Sequence, residues 1–335
     1  MSQTAAILDA DGFRLSPSEK AFFRESDPFG FILFARNIAT PDQVRALCGD
    51  FREAVGREAM ITIDQEGGRV QRLRAPLGRE WLSPLDHVTR AGDNAARAMY
   101  LRYRLIAAEL RDLGIDSNCA PMADVLRSDT HPFLKNRCYG DDPQLVAMLA
   151  RAVADGMLAG GVLPVVKHMP GHGRSVQDSH KNLPHVTASR ADLDASDFAA
   201  FAALADLPLG MTAHLVYDVI DDTPATISPA MIALIRDRIG FDGLLMTDDI
   251  SMKALRGTPA ERARAAIAAG CDLALFCNAS LGERVAVAEA AGPMSAAAQR
   301  RADAALTQRG APDDLDIPAA EAELATLMRG QVYGG

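Results

Sequence analysis

Hydrophobic positions in this chain cluster into short runs separated by longer stretches with helical spacing. The runs centre on residues 5–8, 31–34, 60–63, 115–120, 163–166, 209–212, 244–247 and 273–276. Runs of this length, apolar on both faces of a strand, are what a buried parallel sheet requires. The stretches between them carry helix starts. Ser16-Pro17, Thr40-Pro41, Asp142-Pro143, Ser228-Pro229 and Thr258-Pro259 each place a capping side chain before proline at the first helical position. Ala98, Leu101, Leu105 and Ala108 keep helical spacing, and Gly114 follows as a stop. Strand–helix alternation repeated eight times predicts an α/β fold, a single (β/α)8 TIM-type barrel spanning residues 1–335. A doubly wound open sheet is the alternative, but no Gly-x-Gly-x-x-Gly follows the first strand. The stretch from about 309 to 335 offers one more helix, near 318–329, as a C-terminal tail.

Composition narrows the function classes. Charged residues (24%) and apolar residues (48%) are near globular averages, and the formal charge of −9 argues against nucleic acid or an anionic membrane as partner. The most apolar stretch, 152–166, contains Asp155 and three glycines and is too short and polar to span a bilayer. The N-terminus lacks the pattern of a secretory signal. Five cysteines form no CxxC pair, and Cys119, Cys271 and Cys277 lie in or beside apolar runs as core thiols. A cytoplasmic monomer acting on a small molecule is the expectation.

In a barrel of this kind the residues closing each strand face the active site. Here they are Asp9, Asn37, Asp64, Asn118, Lys167 with His168, His214, Asp248 and Asn278. About a third of such a set serves only to hold loop backbones, yet the regularity points to an enzyme. Asp64 opens Asp-Gln-Glu-Gly-Gly-Arg-Val-Gln-Arg, whose glycines permit a tight turn that returns Arg72 toward it. The pair either pins the loop as an ion pair or binds sugar hydroxyls, and Glu66 competes as a catalytic acid. Lys167 ends a buried run, where an ammonium requires acceptors. His168 and His172 stand four apart, as in some zinc sites, but Pro170, Gly171 and Gly173 forbid a helix and no acid completes a motif. Asp178 and His180 lie in a glycine-flanked polar loop, where the carboxylate can hold the imidazole as a proton-transferring dyad. His214 either lines the pocket or is a satisfied structural histidine. Asp249 is expected to point away from Asp248.

Leu-Leu-Met-Thr-Asp-Asp-Ile-Ser-Met (244–252), Lys-His-Met-Pro-Gly-His-Gly (167–173), Asp-Ser-His (178–180) and Asn-Arg-Cys-Tyr-Gly (136–140) together resemble glycoside hydrolase family 3, in its single-domain bacterial β-N-acetylhexosaminidase branch. The cysteine and tyrosine after Arg137 are mild variations on that pattern. The resemblance implies Asp248 as nucleophile and His180, held by Asp178, as general acid and base. It implies Asp64, Arg72, Arg137, Lys167 and His168 as sugar-binding residues, with no metal or organic cofactor. The implied activity is retaining removal of terminal β-linked N-acetylglucosamine from muropeptides, through a covalent glycosyl-enzyme, in peptidoglycan recycling. Three other readings compete: a β-glucosidase or β-xylosidase on the same barrel, a metal-dependent hydrolase recruiting His168, His172 and Asp248, and a catalytically silent sugar-binding protein.

Overall fold

The computed structural model describes residues 3–177 and 183–334. All eight apolar runs contribute a strand: β1 (Thr4–Leu8), β2 (Pro28–Leu33), β3 (Met60–Ile63), β4 (Ser117–Asn118), β5 (Leu163–Met169), β6 (Leu209–Thr212), β7 (Leu244–Met246) and β8 (Ala274–Phe276). They form two four-stranded sheets of order β8-β1-β2-β3 and β7-β6-β5-β4. Every pairing between neighbours is parallel. Backbone hydrogen bonds join the sheets at both edges. Asp116 and Cys119 donate to Ile61 and Ile63 (3.1 and 2.8 Å), and Thr247 and Ile250 donate to Leu273 and Leu275 (both 3.0 Å).

Three strands are shorter than their apolar runs, β8 by Leu273 alone, and in β4 and β7 a side chain accounts for it. β4 keeps only Ser117–Asn118 of the 115–120 run, because the Asn118 amide turns to Gln65, accepting from its N–H at 2.9 Å and donating to its C=O at 3.1 Å. β7 stops before Thr247, whose hydroxyl instead accepts from the Leu275 N–H at 2.9 Å. In both cases a side chain replaces a rung of the ladder.

The five anticipated caps all form: Ser16, Thr40, Asp142, Ser228 and Thr258 accept the N–H three residues on, with proline at the helix start. Helix Ala95–Asp112 carries the expected Ala98, Leu101 and Leu105 in the core, and Gly114 follows its end at φ +82°. Helix Pro143–Ala159 crosses it so closely that a Cβ on Gly156 would lie 2.4 Å from the Tyr100 carbonyl oxygen. One hydrophobic cluster runs from Ile7, Phe31 and Ile63 through Val165, Met211, Leu245 and Leu275 to the surrounding helices. The tail helix, Ile317–Leu327, joins that cluster through Leu324. All five cysteines are buried free thiols, Cys48 and Cys138 included. Among the described residues, no helix is long and apolar enough to cross a membrane.

Candidate active site

A cleft of about 520 Å³ opens at the carboxyl ends of the strands, lined by Asp64, Arg72, Arg137, Lys167, His168 and Asp248 together with Phe34, Phe133, Met252 and Asn278. These six polar residues come from four places in the chain. Asp64 follows β3. A short antiparallel hairpin, Gln65–Gly67 with Val70–Gln71, then reverses the chain. The Gln65 side-chain oxygen accepts the N–H groups of Arg72 and Leu73 (2.9 and 3.0 Å), fixing where Arg72 returns. Gly67 (φ +102°) is required at the turn, since a Cβ there would overlap the Arg102 guanidinium, 1.8 Å away.

The result is an alternating charge network. The Arg72 Nη2 and the Lys167 Nζ reach the two oxygens of Asp64 at 2.9 and 3.0 Å. Lys167 also reaches Glu66 at 2.7 Å, and Arg137 grips Glu66 with two hydrogen bonds of 2.9 and 2.7 Å. Fixed donors of this kind are shorter and stronger than neutral hydrogen bonds. Burial alone would push Asp64 up, but Lys167 and Arg72 outweigh it and hold the carboxyl below the usual range. Burial likewise opposes ionisation of Glu66, and Arg137 and Lys167 bring it down to about 2. Lys167 moves the other way: burial favours the neutral amine, but Glu66 and Asp64 raise it above its ordinary value. The competing reading of Glu66 as catalytic acid is therefore corrected: a carboxylate clamped by two cations has no proton to give. The Asp64–Arg72 ion pair exists, and both residues still face the cleft.

Asp248 stands just beyond β7. One carboxylate oxygen accepts the Asp249 N–H at 2.8 Å, and the other lies 4.0 Å from the His168 Nε2. Burial would raise its pKa, but His168 and His214 outweigh this and hold it below the ordinary value. Asp249 also lines the cleft, but its carboxylate is engaged differently: it accepts from the Ser251 N–H (2.9 Å) and hydroxyl (2.6 Å), and burial raises its pKa.

His214 is not among the residues lining the cleft. It is fully buried, with its ring nitrogens on the Thr226 hydroxyl (2.7 Å) and the Asp249 carbonyl (3.0 Å), so its place is behind Asp248. Of the other strand-end residues, Asn37 donates to the carbonyls of Ala10 and Gly12, Asn118 holds Gln65, and Asp9 pairs with Arg284 at 2.9 Å. Asp178 and His180 lie outside the described residues. Among the described residues, no three His, Cys, Asp or Glu side chains are grouped to hold a metal ion. His172 is kept neutral by burial, which lowers it to about 4.

Two residues that the sequence reading passed over complete the surroundings. Asp124 accepts from the His168 ring at 2.8 Å. Arg102, wholly buried, donates to the carbonyls of Glu66 and Leu82 (2.5 and 2.9 Å), supporting the turn from below. The available signal was a charged residue inside an apolar context: Asp124 between Ala123 and Val125, and Arg102 in the middle of a helix.

Residues 9–307 match the family described as "Glycosyl hydrolase family 3 N terminal domain". The chain is 39% identical over 278 residues to a protein named "Beta-hexosaminidase" of Methylococcus capsulatus, covering 81% of this chain and 82% of the relative. It is 36% identical over 290 residues to a "Beta-hexosaminidase" of Pseudomonas aeruginosa, covering 85% and 86%. The crystal structure of NagZ from Neisseria gonorrhoeae in complex with N-trifluoroacetyl-D-glucosamine matches with a TM-score of 0.84 at 29% identity, covering 98% of this chain and 99% of that one. With the family model matched over most of its length and β-hexosaminidase relatives of 36–39% identity, this chain belongs to glycosyl hydrolase family 3 and is a glycoside hydrolase.

Proposed function

We propose that the protein is a retaining exo-β-N-acetylglucosaminidase that removes terminal β-linked N-acetylglucosamine from peptidoglycan-derived muropeptides, the N-acetylglucosaminyl-1,6-anhydro-N-acetylmuramoyl linkage in particular. The observation that carries this reading is the Asp248 carboxylate, turned toward a cleft of about 520 Å³ whose walls hold Asp64, Arg72, Arg137, Lys167 and His168. That volume falls within the range of small-molecule sites, about 300–1,000 Å³. The β-hexosaminidase names of the relatives and the N-acylated glucosamine in the Neisseria structure support the choice of sugar.

In this mechanism the charged clamp holds the sugar hydroxyls and orients the anomeric carbon toward Asp248. The Asp248 carboxylate attacks it and the glycosidic bond breaks, leaving a glycosyl ester on the enzyme. His180, paired with Asp178, gives its proton to the departing oxygen. It then takes a proton from water, and the resulting hydroxide cleaves the ester with a second inversion, so the configuration is retained. Protein groups and water suffice for each step.

The two parallel sheets, hydrogen-bonded to each other at both edges, support a closed (β/α)8 barrel with the cleft at the strands' carboxyl ends. We read residues 1–335 as one catalytic domain with its helical tail, working as a monomer. Five buried free thiols fit a cytoplasmic setting.

The test is hydrolysis of an aryl N-acetyl-β-glucosaminide with the first-formed anomer followed by NMR. The β anomer is expected; the α anomer first would overturn the two-step mechanism. Faster turnover of the matching glucoside would move the assignment to a β-glucosidase. In His180→Ala, substrates with basic leaving groups should lose far more rate than those with acidic phenols. Equal losses remove His180 from the acid's role.

A further inference from the structure

We infer that Asp124 is a positioning residue for the catalytic cleft: its carboxylate locks His168 with Nδ1–H turned inward, so that Nε2 is the atom offered to the substrate beside Asp248. The inference rests on the glycosidase reading above and assigns a residue which that reading does not use.

Asp124 is wholly buried, between Ala123 and Val125. Three N–H groups converge on it: the His168 ring Nδ1 at 2.8 Å and the backbone N–H groups of His168 and His172 at 3.3 and 2.6 Å. Two backbone donors favour the ionised form, and an ionised carboxylate only accepts. The proton in the Asp124–His168 contact therefore resides on Nδ1. The neutral ring then has its lone pair on Nε2, in the cleft wall and 4.0 Å from Asp248. A second proton, when present, enters at that atom. Among the described residues, the groups facing the ring are Asp124 on one side, Asp248 on the other, the His172 ring with centroids 5.6 Å apart, and His214 beyond Asp248. Held this way, His168 donates to Asp124 through Nδ1 and turns Nε2 to a sugar hydroxyl in the cleft. Without Asp124 the ring loses the partner that fixes its orientation and tautomer.

The test is NMR of the full-length protein carrying ¹⁵N-histidine, using two-bond proton–nitrogen correlations with His168 assigned by comparison with His168→Gln. Wild-type His168 should carry its neutral-form proton on Nδ1, and finding it on Nε2 overturns the inference without any variant. Asp124→Asn can donate an amide N–H to Nδ1, so the neutral proton should move to Nε2. On an aryl N-acetyl-β-glucosaminide, kcat/KM should fall about 10- to 100-fold, since a misplaced cleft residue can cost about 100-fold. A variant that loses only thermal stability, with the His168 tautomer and kcat/KM unchanged, reduces Asp124 to a structural role. If the wild type hydrolyses no N-acetylglucosaminide, the functional reading falls while the tautomer measurement still decides what Asp124 does.

Discussion

Two charge networks sit at the strand ends, and they are built from the same materials. At β1 and β8, Asp9 receives Arg284 at 2.9 Å, the Asn278 N–H at 2.6 Å and Arg36, while Arg284 also reaches Glu19 at 3.3 Å. Asp9 and Arg284 are both wholly buried. At β3, β5 and β7, Asp64, Lys167, Glu66 and Arg137 alternate in sign in the same way, but that chain runs along an open cleft. The difference is what remains unspent. In the first network the central pair, Asp9 with Arg284, is met by protein groups and sealed from solvent. Beside the second stands Asp248, which among the described residues takes one backbone hydrogen bond, lies 4.0 Å from the His168 Nε2 and lines the cleft. Buried ion pairs are weak evidence of stabilisation in themselves, because desolvation offsets much of their attraction. A network that lines a cleft beside an ionised carboxylate has a use other than holding the fold.

The largest expected effect removes the carboxylate beside the open network. Asp248→Asn keeps the shape and the Asp249 hydrogen bond but removes the attacking anion. Turnover of an aryl N-acetyl-β-glucosaminide should fall by about 10⁴-fold or more, with folding unaffected by circular dichroism. A slow fluorinated glycoside should label Asp248 in the wild type, as read by mass spectrometry. Labelling of any other side chain removes Asp248 as nucleophile.

Next come paired substitutions, one in each network. Arg284→Met takes the guanidinium from Asp9 and Glu19, leaving Asp9 to Arg36 and the Asn278 N–H and Glu19 to Ser16 and the Asp11 N–H, and Glu66→Gln removes the anion shared by Arg137 and Lys167. Breaking a buried pair typically costs about 3–5 kcal/mol, so both should lower the urea midpoint by comparable amounts. Activity should separate them. Arg284→Met should leave kcat/KM of the folded protein unchanged. Glu66→Gln should lower it about 10- to 100-fold, because Arg137 and Lys167 lose their fixed positions. Equal activity losses would erase the distinction between a sealed and an open network.

The same pair differs in its response to acid. Glu66 is lowered from 4.5 to about 2 in the folded protein, so the unfolded chain binds its proton first as pH falls. Its contribution is then fully present above about pH 4.5 and is lost as pH falls through about 2. Glu66→Gln should show a shallower loss of stability across that window in urea melts. Asp64, also held low, keeps part of the slope in the variant.

How much of this was legible in the chain follows from where each signal is stored. The eight strands were legible because burial on both faces leaves an apolar run, and the helix starts because a cap and a proline are neighbours in sequence. The shortening of β4 and β7 was not, since it depends on Asn118 and Thr247 finding partners more than 25 residues away. Asp64, Lys167, His168 and Asp248 were marked by polarity at a strand end, and they converge. His214 carried the same mark and turned inward, because Thr226 and the Asp249 carbonyl occupy its nitrogens. Arg137 and Glu66 were found singly, but their bidentate contact spans 71 residues and has no local trace. Asp124 and Arg102 were missed because each acts through a neighbour brought close only by the fold.

The smallest expected effect comes from a third ion pair, on the surface. Arg97 and Glu323 meet through two hydrogen bonds of 2.7 and 2.8 Å, geometry as good as that of Arg137 and Glu66, yet their side chains are 52% and 42% exposed. Water screens such a pair and solvates either partner when the other is removed, so its measured worth is about 0–1 kcal/mol. Arg97→Ala should therefore shift the urea midpoint barely, although the pair ties the tail helix to the helix beneath it. It should leave kcat/KM unchanged. If Arg97→Ala cost as much stability as Arg284→Met, the quality of the contact would outrank its burial. The contrast between the sealed and open networks would then have to be argued from hydrogen-bond geometry instead.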